Sequence, residues 1–242
     1  MIEKNVFVGD YAKIVTPLLK EKNVWGSEPW RFVKAVLKQN RLDGCKIIDI
    51  CCGDFTDGDA LYREGFVVDG IDASAESLAI ANKKNCKVNL ICSDVSSNWC
   101  NRNNMYDAAC CMASYYLLDD PNGLIENLSK AVKPGGLFIF DFYNLDAYQD
   151  EQYYKSELLF PIRREVWGKI VANKRYVTYK YYFCEEDKFI TEVEHVSTLY
   201  NIFEVSNILK PNFEIVDVFS DLTFGTVNYK EDLVVSVVAR KI

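Results

Sequence analysis

Residues 46–72 read KIIDICCGDFTDGDALYREGFVVDGID, the pattern of an apolar strand, a turn with a glycine, a helix and a second apolar strand. The chain turns at Cys52-Gly53, where the missing side chain lets the backbone approach a ligand closely. The second strand closes on Asp72, 19 residues after Gly53. This is near the spacing of about 20 residues expected when the acid binds a ribose diol. The stretch therefore predicts the first βαβ unit of a nucleotide-binding α/β domain.

The same stretch resembles motifs I and II of the class I S-adenosylmethionine (SAM)-dependent methyltransferases. In that family the first strand usually ends D-x-G-C-G-x-G, and here residues 49–55 read DICCGDF. Cys51 and Phe55 thus stand where the family has glycines, and Phe55 is expected to add bulk where the methionine arm of the cofactor runs. The dinucleotide fingerprint G-x-G-x-x-G is absent from the sequence, which argues against a dehydrogenase.

Further matches follow along the chain in the order of that family. Residues 87–91 and 106–112 match its third and fourth strands, and a helix is predicted over 122–133. KPGG at 133–136 resembles the family's turn into the fifth strand, 137–140. The resemblance implies that Asp72 binds the ribose and Asp94 the adenine amino group. It implies SAM as cofactor, held by Asp49, Cys51, Gly53, Asp72, Ala73, Asp94, Val95 and Met112.

The C-terminal part of the chain departs from a minimal Rossmann-like core. Three segments within 160–200 alternate and are rich in Val, Thr and Tyr, which predicts a three-stranded antiparallel insert after the fifth strand. The expected fold is α/β, a Rossmann-like seven-stranded class I methyltransferase fold of strand order 3-2-1-4-5-7-6. We divide the chain into an N-terminal helical lid (1–44), a SAM-binding core (45–159), an antiparallel β cap (160–200) and the segment completing the core sheet (201–242).

Composition bounds the class of protein and its partners. The 242 residues carry a net charge of −7, which disfavours a nucleic-acid partner because such partners usually meet a basic surface. The sequence contains no run of 18 or more apolar residues, so no membrane span is predicted. Nine cysteines and the absence of a predicted secretory signal favour the reducing cytoplasm. The pairs Cys51-Cys52 and Cys110-Cys111 end neighbouring strands, and we interpret them as buried thiols, with no metal site predicted. The oligomeric state is not predicted.

Candidate catalytic residues come from two regions. Tyr143 and Asn144 follow the fifth strand, where the family builds its substrate site, and either side chain can orient an amine or hydroxyl. Asp141, beside them, is expected to face either the cofactor or a backbone turn. His195 is the only histidine, and it is either a general base or a structural side chain on a mostly apolar strand. The lid places Tyr11, Trp25 and Trp30 as candidate substrate contacts.

The resemblance implies methyl transfer from SAM to a small-molecule acceptor by direct in-line displacement, and an amine acceptor is preferred. A neutral amine needs no strong base, which suits a sequence without a clear acid/base dyad. Two alternatives remain open. One is a SAM-using cyclase or lyase on the same fold that releases methylthioadenosine, and the other is a non-catalytic SAM-binding module.

Overall fold

A computed structural model describes residues 10–21, 28–83, 87–100, 103–148 and 152–242 of the chain. The described residues form two compact units. One comprises Glu28–Ala147 with Tyr200–Ile242, and the other comprises the helical segment 10–21 with Tyr148–Leu199. We call them the core unit and the insert unit.

The core unit is built on a mixed sheet with two covered faces. Five strands pair in parallel in the order β3-β2-β1-β4-β5, and β11 pairs antiparallel with both β5 and β10. The order 3-2-1-4-5-7-6 predicted from the sequence is thereby confirmed. The strands are β1 Lys46–Ile50, β2 Val67–Asp72, β3 Leu90–Cys92, β4 Tyr106–Cys111, β5 Val132–Asn144, β10 Phe213–Ser220 and β11 Val234–Lys241.

Helices cover the two faces because successive apolar residues of each strand point to opposite sides. Ile47 packs with α2 and α3, whereas Ile48 and Ile50 pack with α5 and α6. Helix α6 begins with a reciprocal capping box between Asn201 and Glu204. The core helices are α2 Pro29–Gln39, α3 Thr56–Arg63, α4 Ala75–Asn82, α5 Pro121–Ala131 and α6 Ile202–Leu209.

Helix α5 and strand β5 differ from their predicted bounds. The helix ends at Ala131, and β5 begins directly at Val132, before the KPGG stretch. Pro134 cannot continue a helix, so the chain leaves helical geometry ahead of it. Among the described residues no helix is both long and apolar enough to cross a membrane.

The insert unit contains a four-stranded antiparallel meander rather than the predicted three strands. The additional strand is β6, which the sequence did not reveal because it is an edge strand with most of its side chains exposed. A π-helical turn, Tyr11–Val15, and helix α1, Thr16–Glu21, belong to the same unit. The strands are β6 Gln152–Leu159, β7 Ile162–Val171, β8 Lys174–Phe183 and β9 Lys188–Tyr200.

A β-bulge in this meander changes which side chains of β9 share a face. The register shifts between Tyr181 and Tyr182, so that Tyr181 pairs with Thr191 but Tyr182 pairs with Phe189. The extra residue turns Phe189 to the face opposite Val193, where its ring packs 5.8 Å from that of Tyr182. Phe189 therefore lies on the face opposite His195, whereas strict alternation along the strand would place both side chains on one face.

Candidate active site

The turn after β1 keeps a glycine-like backbone although two of its three glycine positions hold other residues. Cys51, Gly53 and Phe55 all have left-handed φ angles, of 57°, 54° and 61°. A non-glycine residue in this region costs about 1–2 kcal/mol, because Cβ crowds the following carbonyl. Backbone hydrogen bonds hold the shape, from Cys52 N–H to the Ile71 carbonyl (3.0 Å) and from Phe55 N–H to the Cys52 carbonyl (2.8 Å).

Phe55 does not occupy the space expected for the methionine arm, which corrects the sequence-based expectation. Its side chain is completely buried and packs in the cluster between the sheet and helices α2 and α3. Two glycines make room for the ring. A Cβ on Gly58 would lie 2.2 Å from a Phe55 ring carbon, and one on Gly70 would lie 2.9 Å from another. The residue replacing the family's third glycine has become part of the core.

Asp72 connects this turn to the end of β2. One carboxylate oxygen accepts from Gly53 N–H (2.8 Å), and the other accepts from Ser74 N–H (2.7 Å). Each oxygen has a further lone pair, so the half-buried carboxylate can still accept from two ribose hydroxyls. The predicted ribose-binding acid is thus held rigidly beside the turn.

The charges around the turn suit a cation. Asp49 is buried, and the Cys110 thiol donates to its Oδ1 (3.5 Å). Burial, followed by the nearby Asp57 and Asp72 carboxylates, raises the pKa of Asp49 well above its usual value. A phosphate would be repelled here, whereas the sulfonium and ammonium groups of SAM would be attracted. The residues present therefore fit SAM better than a dinucleotide.

The other predicted cofactor contacts lie beyond the neighbouring strands. Asp94 is exposed, and its Oδ1 accepts from the backbone N–H (2.8 Å) and hydroxyl (2.6 Å) of Ser96. Val95 is buried, Ala73 is exposed next to Asp72, and Met112 is half-buried after β4. Their contacts with SAM stay a prediction.

The two cysteine pairs lie close together, as their positions on neighbouring strands suggested. A hydrogen bond with the Cys51 thiol and burial raise the pKa of Cys111 well above its usual value. No group of three or more His, Cys, Asp or Glu residues in the described ranges is arranged to hold a metal ion.

The two candidate residues predicted to follow the fifth strand, Tyr143 and Asn144, are the last residues of β5, and only Tyr143 keeps an accessible side chain. The Tyr143 ring stacks on that of Tyr116, with centroids 3.9 Å apart. Asn144 is completely buried, and its amide donates to the carbonyls of Tyr229 (2.8 Å) and Asp232 (2.9 Å). It therefore holds the 229–232 loop against β5, and this buried, hydrogen-bonded side chain argues against its predicted catalytic role.

His195 lies on β9 in the insert unit, where it is half-buried among aromatic side chains. Its ring packs edge-on against Tyr179 (5.4 Å) and near Tyr11 (6.4 Å). Burial, with a smaller contribution from the Arg175 charge, lowers the pKa of His195 to about 4. An imidazole with this pKa is neutral at pH 7 but is too weak a base to take up a proton readily.

The residues predicted to contact substrate from the lid do not all belong to one unit of the structure. Tyr11 is buried against Tyr181 in the insert unit, with ring centroids 5.6 Å apart. Trp30 begins α2 in the core unit, where the Arg31 guanidinium lies 4.6 Å from its ring centroid. Trp25 lies outside the described residues.

Asp141, for which the sequence left two orientations open, is hydrogen-bonded to the backbone of the turn after β4. It is a buried acid near the end of β5, and its Oδ1 accepts from Ala113 N–H at 2.5 Å. Burial and the charge of Asp221 raise the pKa of Asp141 to about 7. The FDFYN pattern at 140–144, an acid inside an apolar strand, is the sequence signal for this site.

Comparisons with known proteins agree with this geometry. Residues 14–206 match a family model described as a methyltransferase domain. A ubiquinone biosynthesis O-methyltransferase of Vibrio vulnificus (strain YJ016) is 30% identical over 175 residues, which cover 71% of this chain and 68% of that protein.

Solved structures share the fold at lower identity. A SAM-dependent methyltransferase from Clostridium acetobutylicum superposes with a TM-score of 0.82 at 18% identity, covering 96% of this chain and 99% of the other. SAM-bound CalS10, an amino pentose methyltransferase from Micromonospora echinaspora, gives 0.69 at 15% identity, covering 99% and 100%. With the family model spanning most of the sequence, this chain belongs to the class I SAM-dependent methyltransferases, and SAM is its cofactor.

Proposed function

We propose that the protein transfers the methyl group of SAM to a small-molecule amine by direct in-line displacement. The observation that carries this proposal is the left-handed backbone of the turn at Cys51, Gly53 and Phe55, with Asp72 fixed beside it. SAM supplies an activated methyl on a sulfonium, so the protein mainly has to orient the acceptor and exclude water. The acidic and aromatic character of the neighbouring strand ends supports an amine.

The proposed contacts follow the family pattern. Asp72 binds the ribose and Asp94 the adenine amino group, while Asp49 contributes a buried carboxyl group near the methionine arm. Cys51, Gly53, Ala73, Val95 and Met112 complete the cofactor site. Tyr143 forms the wall on the acceptor side, stacked on Tyr116. Asn144 is assigned no substrate contact because its side chain is buried, and His195 is assigned no proton transfer because its pKa is lowered to about 4.

A hydroxyl acceptor is the second candidate, because the curated relatives carry the name ubiquinone biosynthesis O-methyltransferase. Two proteins of the same fold support nitrogen instead, since one is a sugar N-methyltransferase and the other is an amino pentose methyltransferase. A phenol, with a pKa of about 10, needs a base to deprotonate it, whereas an amine only has to lose its extra proton.

Product analysis separates these candidates. The protein is incubated with SAM alone, with a panel of amino sugars and alkylamines, and with a matched panel of catechols and phenols. The proposal expects S-adenosylhomocysteine to form with a methylated amine. Methylation confined to phenols would overturn the amine assignment, and methylthioadenosine from SAM alone would favour the cyclase or lyase alternative.

The remaining assignments concern partners and location. A small molecule is proposed as the partner because the net charge of −7 is unfavourable for nucleic acid. A cytoplasmic location is proposed from the cysteine content, and the eight cysteines among the described residues are free thiols.

A further inference from the structure

Asp141 lies at the edge of the core sheet where the parallel strands end. It precedes the end of β5 by three residues, and Ala113, its hydrogen-bond partner, is the second residue after β4. The turn at residues 51–55 follows β1, which pairs with β4. Carboxyl ends of parallel strands meet at one edge of a sheet, and ligands of open α/β sheets bind there. Asp141 therefore lies on the ligand-binding edge.

The immediate surroundings of Asp141 supply one hydrogen bond and no positive charge. Ala113 holds a left-handed backbone, φ 54°, and directs its N–H to Oδ1. The cross-strand neighbour is Ser236 of β11, whose hydroxyl is buried without a hydrogen-bond partner among the described residues. No lysine, arginine or histidine in the described ranges forms an ion pair with Asp141, and the nearest charge that affects it is the acidic Asp221.

A buried acid without a cation is costly, so its presence calls for a compensating ligand. Asp141 is buried but retains 7% of its surface exposed. A positively charged ligand would supply the missing partner and would also favour the ionised form of the acid.

An aromatic pair lies next to the carboxylate. Tyr143 is two residues further along β5, so its side chain projects from the same face of the strand, about 7 Å away along the chain. Its ring stacks on that of Tyr116, with 3.9 Å between centroids. A carboxylate beside aromatic faces is the combination that binds an organic ammonium group, through a charge-assisted hydrogen bond and cation–π attraction.

We propose that Asp141 binds an ammonium group of a ligand at this edge and, where the ligand is the acceptor, takes its proton. The inference rests on the proposed function, because an amine acceptor must arrive as a cation near neutral pH. In the proton transfer the N–H bond breaks and a carboxyl O–H bond forms. The amine keeps the electron pair with which it attacks the methyl group.

The test measures protons released on binding, by isothermal titration calorimetry at pH 7 in buffers of different ionisation enthalpy. Four probes are used: SAM, methylthioadenosine, which lacks the amino-acid ammonium, and, on protein saturated with S-adenosylhomocysteine, benzylammonium and neutral benzyl alcohol. The variants are D141N, which keeps an acceptor for Ala113 N–H, and D221N as a control that leaves Asp141 in place. Melting temperatures confirm that each variant folds.

Because the pKa of Asp141 is about 7, binding of an ammonium ligand at pH 7 should release roughly half a proton from the wild-type protein and none from D141N. The ligand should also bind to D141N with an affinity at least about tenfold weaker. A difference seen with SAM but not methylthioadenosine, which lacks both cationic groups of SAM, assigns the bound cation to the cofactor. A difference seen with benzylammonium but not benzyl alcohol assigns it to the acceptor. In D221N, Asp141 should be more ionised at pH 7, so fewer protons are released.

Two negative results have different meanings. If SAM binds and D141N leaves all four affinities and proton counts unchanged, the inference is overturned while the proposed function stands. If wild-type protein binds no SAM, the proposed function itself fails, and the inference fails with it.

Discussion

Replacing Phe55 with alanine should destabilise the protein without improving cofactor binding. The ring is completely buried against α2, α3 and β2, and removing a buried phenylalanine ring costs about 3–5 kcal/mol. Alanine leaves the left-handed backbone position occupied by a residue with a Cβ, so the change reports on the ring alone. Urea unfolding followed by circular dichroism measures the loss, and titration with SAM measures the affinity.

Gly58→Ala provides the matched control for this packing. In wild type the new Cβ would lie 2.2 Å from the Phe55 ring, and such overpacking costs about 1–3 kcal/mol. In the Phe55→Ala background the collision is gone, and alanine in the helix should stabilise by up to about 1 kcal/mol. The double-mutant cycle should therefore show a coupling of about 1–3 kcal/mol. If Phe55→Ala instead leaves stability unchanged and tightens SAM binding, the ring occupies cofactor space and the reasoning is wrong.

Three further outcomes follow from the site. Asp72→Ala should weaken SAM binding at least about tenfold, because it removes the acceptor of the ribose hydroxyls and leaves Gly53 N–H without its partner. Calorimetry measures the SAM affinity, with Asp72→Asn as the control. Asn144→Ala should lower the free energy of unfolding by about 2–3 kcal/mol through lost hydrogen bonds to the 229–232 loop, yet leave SAM affinity unchanged; a selective loss of activity at full stability would contradict its structural role. Because the pKa of His195 falls from 6.5 to about 4 on folding, the unfolded state binds the extra proton, and stability should decline by up to about 3 kcal/mol between pH 6.5 and 4. Denaturant midpoints of wild type and His195→Gln across this range test it, and identical pH dependence would refute it.

The parts of the fold that could be predicted are those in which local pattern and tertiary burial agree. Strands β1 and β4 have both faces covered, and they appear in the sequence as short segments that are mostly apolar. Edge strand β6 was missed because its side chains are mostly exposed, so no alternation marks it. The reversed face of Phe189 depends on a one-residue bulge, which alternation alone cannot locate.

The same distinction applies to the site. Asp72 could be assigned because spacing along one βαβ unit determines where it lies. The burial of the Phe55 ring could not be predicted, because it depends on space left by Gly70, a residue on strand β2. Asn144 has a side chain of the type that often contacts substrate, but its amide donates a hydrogen bond to a loop some 85 residues later in the chain. Contacts of this kind arise from tertiary packing.

Calorimetric titration with SAM and with S-adenosylhomocysteine tests the central claim most directly, namely that a turn with only one of its three family glycines still forms the cofactor site. The account predicts that both bind with a dissociation constant of about 1–100 μM, a free energy of roughly −8 to −5 kcal/mol. Absence of binding by both molecules, in protein shown to be folded, would contradict it.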